Sequence, residues 1–237
     1  MGSQLTKVRI EELAPTQGCI GRFEVQLKAD RFRLMSAADV HGYLRDKADR
    51  GKPVELVKGP KRFFVVDGHH TLSAILEATA LRELDLDVVD DLGEHDEPKA
   101  LWAAMQEEGW VYDRVQGEEV SPLEFPPRLE SLADDPFRTM AWLLRKMGAF
   151  DDLREPYQEF RIGDFLRQHM VFEPVHLHEY ELATIRGFEL LRSGVAKEAV
   201  GRGKLPGVDP GDDVPDDLLE RYYQVLGKAR APRCYRG

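Results

Sequence analysis

The stretch Arg62-Phe63-Phe64-Val65-Val66-Asp67-Gly68-His69-His70-Thr71-Leu72-Ser73-Ala74-Ile75 decides the fold class. An aromatic and β-branched run stops at Asp-Gly, and after two histidines an apolar pattern with helical spacing begins. A strand ending at Val66 and a helix over His69–Ala80 follow from that change of period. Upstream, Pro53–Val57 reads as a strand and Lys58–Lys61 as a turn, so Pro53–Val66 is a β-hairpin. Downstream, Leu84–Val89 alternates as a strand with one wet face.

Working outward, Val8–Leu13 alternates as a first strand, and Pro15-Thr16-Gln17-Gly18 is a turn or loop. Phe23–Met35 fits a helix with Phe23, Leu27 and Leu34 on one face. Ser36 and Asp39 have the capping-box spacing ahead of a helix through Val40, Tyr43 and Leu44, which Gly51 ends. After Asp90-Asp91 the pattern becomes helical. Pro98–Glu108 is a helix, 109–112 an aromatic connector and 113–127 irregular. Helices follow near 136–147, 157–171 and 175–192. Gly201–Asp213 is a Gly/Pro/Asp-rich linker, and Asp216–Arg230 is a last amphipathic helix.

The bulk numbers restrict the class. The chain has 237 residues, 42 % hydrophobic and 32 % charged, ordinary for a globular protein able to bury a core without staples. The formal net charge is -10, whereas duplex-DNA binding calls for a basic face. Nucleic acid is therefore a disfavoured partner. Cys19 and Cys234 stand in no ligand array and read as free thiols of a reducing, cytoplasmic compartment. The N-terminus has no apolar core of a signal peptide, and no run is long enough to span a bilayer. Gly2 with Thr6 loosely fits a myristoylation pattern, and Met-Gly-Ser equally fits a cloning remnant.

The Asp67-Gly68 turn admits two readings. Gly68 removes the side chain where the backbone turns, and the helix then opens with uncapped N–H groups at its positive end. That is a generic anion site, suited to phosphate, to which His69, His70 and Thr71 would add donors. In the other reading Asp67 caps the helix and the histidines pack or face water. A metal is less suited, because adjacent histidines on a helix point about 100° apart.

The segments VRIEEL, PVELV and RFFVVDGHHTLSAI resemble the core of the ParB/sulfiredoxin superfamily. The chain is most similar to its ParB-like nuclease group, through Pro15-Thr16-Gln17, Glu24-Val25, Lys28, the DGHH turn, Gly109-Trp110-Val111-Tyr112, Asp134–Arg138, Glu159-Phe160 and Asp164-Phe165-Leu166. The resemblance runs over roughly 8–208. It implies an α+β fold, a ParB/sulfiredoxin-like small mixed sheet with helices, followed by an all-helical lobe. The domains expected are a core over 1–92, a helical lobe over 93–200 and a linker with C-terminal helix over 201–237.

Superfamily members use the same pocket differently: partition proteins bind CTP and DNA, sulfiredoxins use ATP and a cysteine, and free-serine kinases carry DGHHR. Here Thr71 stands where those kinases have Arg, which removes one cation from the phosphate site. The Cys-His-Arg signature of sulfiredoxins is missing. The acids Asp134, Asp135, Asp151, Asp152 and Glu155 suit DNA poorly.

The resemblance implies a pocket between the DGHH turn and the Pro15–Glu24 segment, closed by the helical lobe. Gly68, His69, His70 and Thr71 would hold the phosphates of ATP or ADP, with Gln17, Lys28 and Arg138 as further contacts. Magnesium would be held mainly by the nucleotide. Glu24 would be the base, with Asp67, His69 and His70 beside the reaction, and the acceptor a small molecule. Two alternatives stand: a nuclease acting on DNA, and a non-catalytic nucleotide-binding switch. Each candidate has a bland counterpart: Glu24 as a first-turn acid, Lys28 and Gln17 as surface groups, and Arg138 as partner of a carboxylate on a crossing helix. His176 and His178 lack the i,i+4 spacing of helix metal ligands. Trp102, Trp110 and Trp142 read as packing groups, any of which could stack on a base.

Overall fold

The computed structural model describes residues 4–153, 155–176, 178–211 and 213–230. Gly2, Leu177 and Cys234 lie outside the described residues. Contact density divides the chain into two units. The first takes the chain up to Ile20, Val25–Ala133 and Arg230; the second takes Gly21–Glu24 and Asp134–Ala229.

The elements of the first half are β1 (Gln4–Arg9), β2 (Ala14–Pro15), β3 (Cys19–Ile20), α1 (Arg22–Phe32), α2 (Ala37–Asp49), β4 (Glu55–Lys58), β5 (Phe63–Asp67), α3 (His69–Ala78), β6 (Glu83–Asp91) and α4 (Pro98–Glu107). A five-stranded mixed sheet has the order β1-β6-β4-β5-β2. β1 runs antiparallel to β6, β4 antiparallel to β5 and parallel to β6, and β2 parallel to β5. Alternation puts Val8, Leu84, Leu86, Leu56 and Val65 into one core with Leu72 and Ile75 of α3 and Val40 and Leu44 of α2. A second cluster on Val57 and Phe64 takes Leu101 and Met105 of α4, with Trp102 and Trp110 partly buried against it. Both faces of the sheet are therefore covered.

That second cluster explains where the first unit ends. α4 and the aromatic connector pack on the sheet and stay with the first unit, whose main segment runs to Ala133. Trp102 meets Phe64 and Phe125 edge-on at 5.4 and 5.7 Å.

The second unit is helical: α5 (Pro136–Met147), α6 (Gln158–His169), α7 (Glu179–Leu191), α8 (Gly194–Gly201) and α9 (Leu218–Arg230, its last residue in the first unit). Asp135 caps α5 through Phe137 N and Arg138 N, with Pro136 at the first helical position.

Several boundaries differ from the sequence reading. The first strand is Gln4–Arg9, because Ile10–Glu12 turn into a 3-10 helix closed by Leu13 N to Ile10 O. α1 stops at Phe32, leaving Leu34 outside the helix and 68 % exposed. Within 113–127 a short hairpin pairs β7 (Arg114–Val115) with β8 (Glu118–Glu119). Its turn residues Gln116 and Gly117 both have positive φ, the geometry of a tight hairpin turn. α7 starts at Glu179 and not 175, because the Glu179 carboxylate reaches back to Val175 N and His176 N, both at 2.6 Å. Within the linker stretch Leu205 and Val208 are buried, and Pro206 O accepts from Gln158 Nε2 at 2.9 Å, so this part of it is anchored.

Candidate functional site

The Asp67-Gly68 turn lies where β5 meets α3. Gly68 is the N-cap of α3 at φ 97°, a left-handed conformation, and caps the helix with no side-chain hydrogen bond. A Cβ here would meet Val54 Cγ2 at 2.7 Å, so glycine is demanded both by conformation and by the neighbour. Asp67 does not cap the helix, as one reading of the sequence had it. Its Oδ1 accepts from Gly68 N at 2.7 Å, and the carboxylate stays exposed. The first turn of α3 is thereby left without an acidic side chain over its amides.

His69, His70 and Thr71 are buried, at 4, 7 and 1 % exposure. His69 Nε2 accepts from the backbone N–H of Thr16 at 3.2 Å. A ring nitrogen that accepts is unprotonated, so this bond sets the neutral Nδ1–H tautomer. Thr16 is tied a second time, its Oγ1 donating to Val65 O at 2.8 Å. The Pro15–Gln17 loop is thus fastened to the end of β5 and the start of α3. Gln17 is buried, its Nε2 donating to Cys19 O at 2.7 Å. Lys28 is half-buried on α1.

One group beside the turn escapes sequence reading. Glu55 of β4 stands opposite Asp67 of β5 and Asp87 of β6. Burial raises the Glu55 carboxyl above its ordinary range; Asp67 and then Asp87 raise it further, and Lys47 opposes them. The only signal was a glutamate inside an apolar strand, Pro53–Val57. Its neighbours become visible only with the strand register.

Glu24 and Arg138 belong to the second unit, where the structure brings them together. Arg138 Nη1 contacts Glu24 Oε2 at 3.2 Å, and its Nη2 pairs with Glu159. Glu159 also accepts from Arg145 Nε at 2.6 Å, and Arg145 Nη1 reaches Asp152 Oδ2 at 2.6 Å. Glu24 is 2 % exposed and Arg138 8 %. Burial would lower the Arg145 guanidinium, but Glu159, Asp152 and Glu24 outweigh it and the net direction is upward. This is the crossing carboxylate partner that a cation in the first turn of α5 calls for. Nearby, burial holds the Asp134 carboxyl above its ordinary range, although Arg22 N donates to it at 2.9 Å.

His176 and His178 stack with ring centroids 5.6 Å apart. Among the described residues no group of three or more His, Cys, Asp or Glu side chains is arranged to hold a metal ion. Among them also, no helix is long and apolar enough to cross a membrane.

A strand–glycine–helix turn on a mixed sheet with a helical C-terminal part is consistent with a ParB-like fold. The chain belongs to the family described as "Putative ParB-like nuclease", which it matches over residues 6–168. Among solved structures it is similar to protein Atu1540 from Agrobacterium tumefaciens, with 26 % identity and a TM-score of 0.73 over 88 % of this chain and 97 % of that one. No curated protein matches the chain.

Proposed function

We propose that the Asp67–Thr71 turn binds the phosphates of a nucleotide, ATP or ADP, and that the chain transfers a phosphoryl group from it to a small hydroxyl-bearing molecule. The observation that carries this reading is the start of α3: a left-handed glycine with no capping side chain, followed by two buried histidines. Amides at such a helix start favour an anion through both hydrogen bonding and the helix dipole. The neutral His69 ring supports the site indirectly, by holding the Thr16–Gln17 loop beside it. Magnesium fits this donor set as a companion of the nucleotide phosphates, since among the described residues no three-ligand group is assembled for it.

Within the first unit Asp67 is the acid–base candidate, because its carboxylate is exposed at the turn. The proposal routes no proton through Glu24, whose carboxylate is buried against Arg138.

Calorimetric titration with ATP, ADP, CTP and pyrophosphate, each with magnesium, tests the reading. Binding of at least one nucleotide is expected, displaced by pyrophosphate and weakened about tenfold by His70→Ala, a loss near 1.4 kcal/mol. Asp67→Asn should keep binding and lose transfer to an added hydroxyl acceptor. Absence of binding by every nucleotide and by pyrophosphate overturns the proposal.

The family's description raises a second reading, a nuclease. Such an enzyme needs a metal held by clustered carboxylates; Glu55 stands opposite Asp67 and Asp87 in the strand register, but among the described residues these three are not arranged as a metal-holding group. Magnesium-dependent nicking of plasmid DNA, lost in Asp67→Asn, would favour it over phosphoryl transfer.

A further inference from the structure

α9 carries two apolar stripes. Leu218, Tyr222, Val225 and Ala229 are buried, whereas Leu219 and Tyr223 are 47 and 55 % exposed. With half-buried Leu226 they follow i, i+4, i+7 spacing, a continuous second stripe about 100° around the helix from the first. A shallow, open depression of about 580 Å³ lies at its N-terminal end, lined by Asp216, Asp217, Leu219, Glu220 and Tyr223. Tyr223 Oη donates to Glu181 Oε2 on α7 at 2.5 Å, which fixes the ring and brings another carboxylate to the rim. Asp217 is paired with Arg221, but Glu220 and Glu181 accept from the neutral donors Gln224 and Tyr223. The rim therefore keeps a net negative charge around an apolar floor.

We infer that this face docks a basic amphipathic helix of another protein. A straight i, i+4, i+7 stripe matches the anchor spacing of a partner helix laid against it, and the acidic rim selects lysine and arginine on that helix's flanks. A second copy of the chain is a poorer occupant, because it brings the same net charge of -10 and the same acids. The rim likewise repels an anionic lipid surface.

The test uses the full chain and a fluorescent peptide of leucine and lysine at helical spacing, followed by anisotropy. Leu219→Ser with Tyr223→Ser, and separately Asp216→Lys with Glu220→Lys, should each weaken binding about tenfold or more, near 1.4 kcal/mol. The control Glu107→Lys with Glu108→Lys makes the same charge change on exposed residues of the first unit and should leave affinity unchanged. All these side chains are exposed, so unchanged melting curves are expected for every variant. Three results would overturn the inference: no binding by the native chain, equal weakening by the control pair, or a native dimer in sedimentation that Leu219→Ser with Tyr223→Ser dissolves.

Discussion

The backbone N–H of Thr16 donates to Nε2 of His69 across 3.2 Å, joining residues 53 apart in sequence. Both groups are buried, so this bond is what keeps the N–H from being left dry and unpaired. The first histidine of the DGHH turn thus acts as a positioning residue that sets the loop beside the helix start.

His69→Leu should therefore cost about 1–3 kcal/mol, the usual penalty for stranding a buried donor. His69→Gln, which retains an acceptor, should cost less. Urea unfolding of the two variants checks the order; equal losses would mean that the bond to Thr16 is not what the ring contributes.

Gly68→Ala should lose about 1–3 kcal/mol from the left-handed backbone alone, and more from the approach to Val54, whose Cγ2 lies 2.7 Å from the added Cβ. Adding Val54→Ala should restore the steric part and leave the conformational part. Thermal midpoints of the single and double variants separate the two.

Arg138→Met should cost about 3–5 kcal/mol, because it removes the cation that pairs with buried Glu24 and leaves Glu159 with Arg145 alone. Adding Glu24→Gln to that variant should recover part of the loss. Simple additivity of the two substitutions in denaturant melts would contradict a coupled network.

Glu55 gives a pH prediction. Its folded pKa lies above the ordinary 4.5, chiefly through burial and then through Asp67 and Asp87. A carboxyl raised on folding contributes stability that is fully present below the unfolded pKa and is lost as pH rises through the folded value. Glu55→Gln should therefore gain stability relative to the native chain above that range. The gain should shrink as pH falls toward 4.5. Unfolding free energies measured across pH check this; a difference that does not change with pH would contradict it.

The sequence was most legible where chemistry is local. Ser36 and Asp39 form the expected capping box, Asp135 and Pro136 start α5 as their types require, and the change of period at Val66–His69 marks the strand–helix junction. Less was legible where the outcome depends on distant partners. Asp67 looks like a helix cap, but its carboxylate accepts from Gly68 N and Gly68 itself holds the cap position in a left-handed conformation. Arg138 in the first turn of α5 signals a carboxylate partner, but that the partner is Glu24, 114 positions away, has no local signature. The Asp67–Glu55–Asp87 row needs the register of three strands, which no single segment encodes. α8 follows a helix-ending region and leads into a Gly- and Pro-rich stretch, so its short pattern is masked on one side.

The most direct test of the central claim is a titration of the isotope-labelled full chain with magnesium-ATP, followed by backbone amide NMR shifts. The account predicts saturable shifts concentrated on the amides of Gly68, His69, His70 and Thr71, with Thr16 moving through its bond to His69. A titration that leaves those amides still at millimolar nucleotide would show that the turn is not a phosphate site.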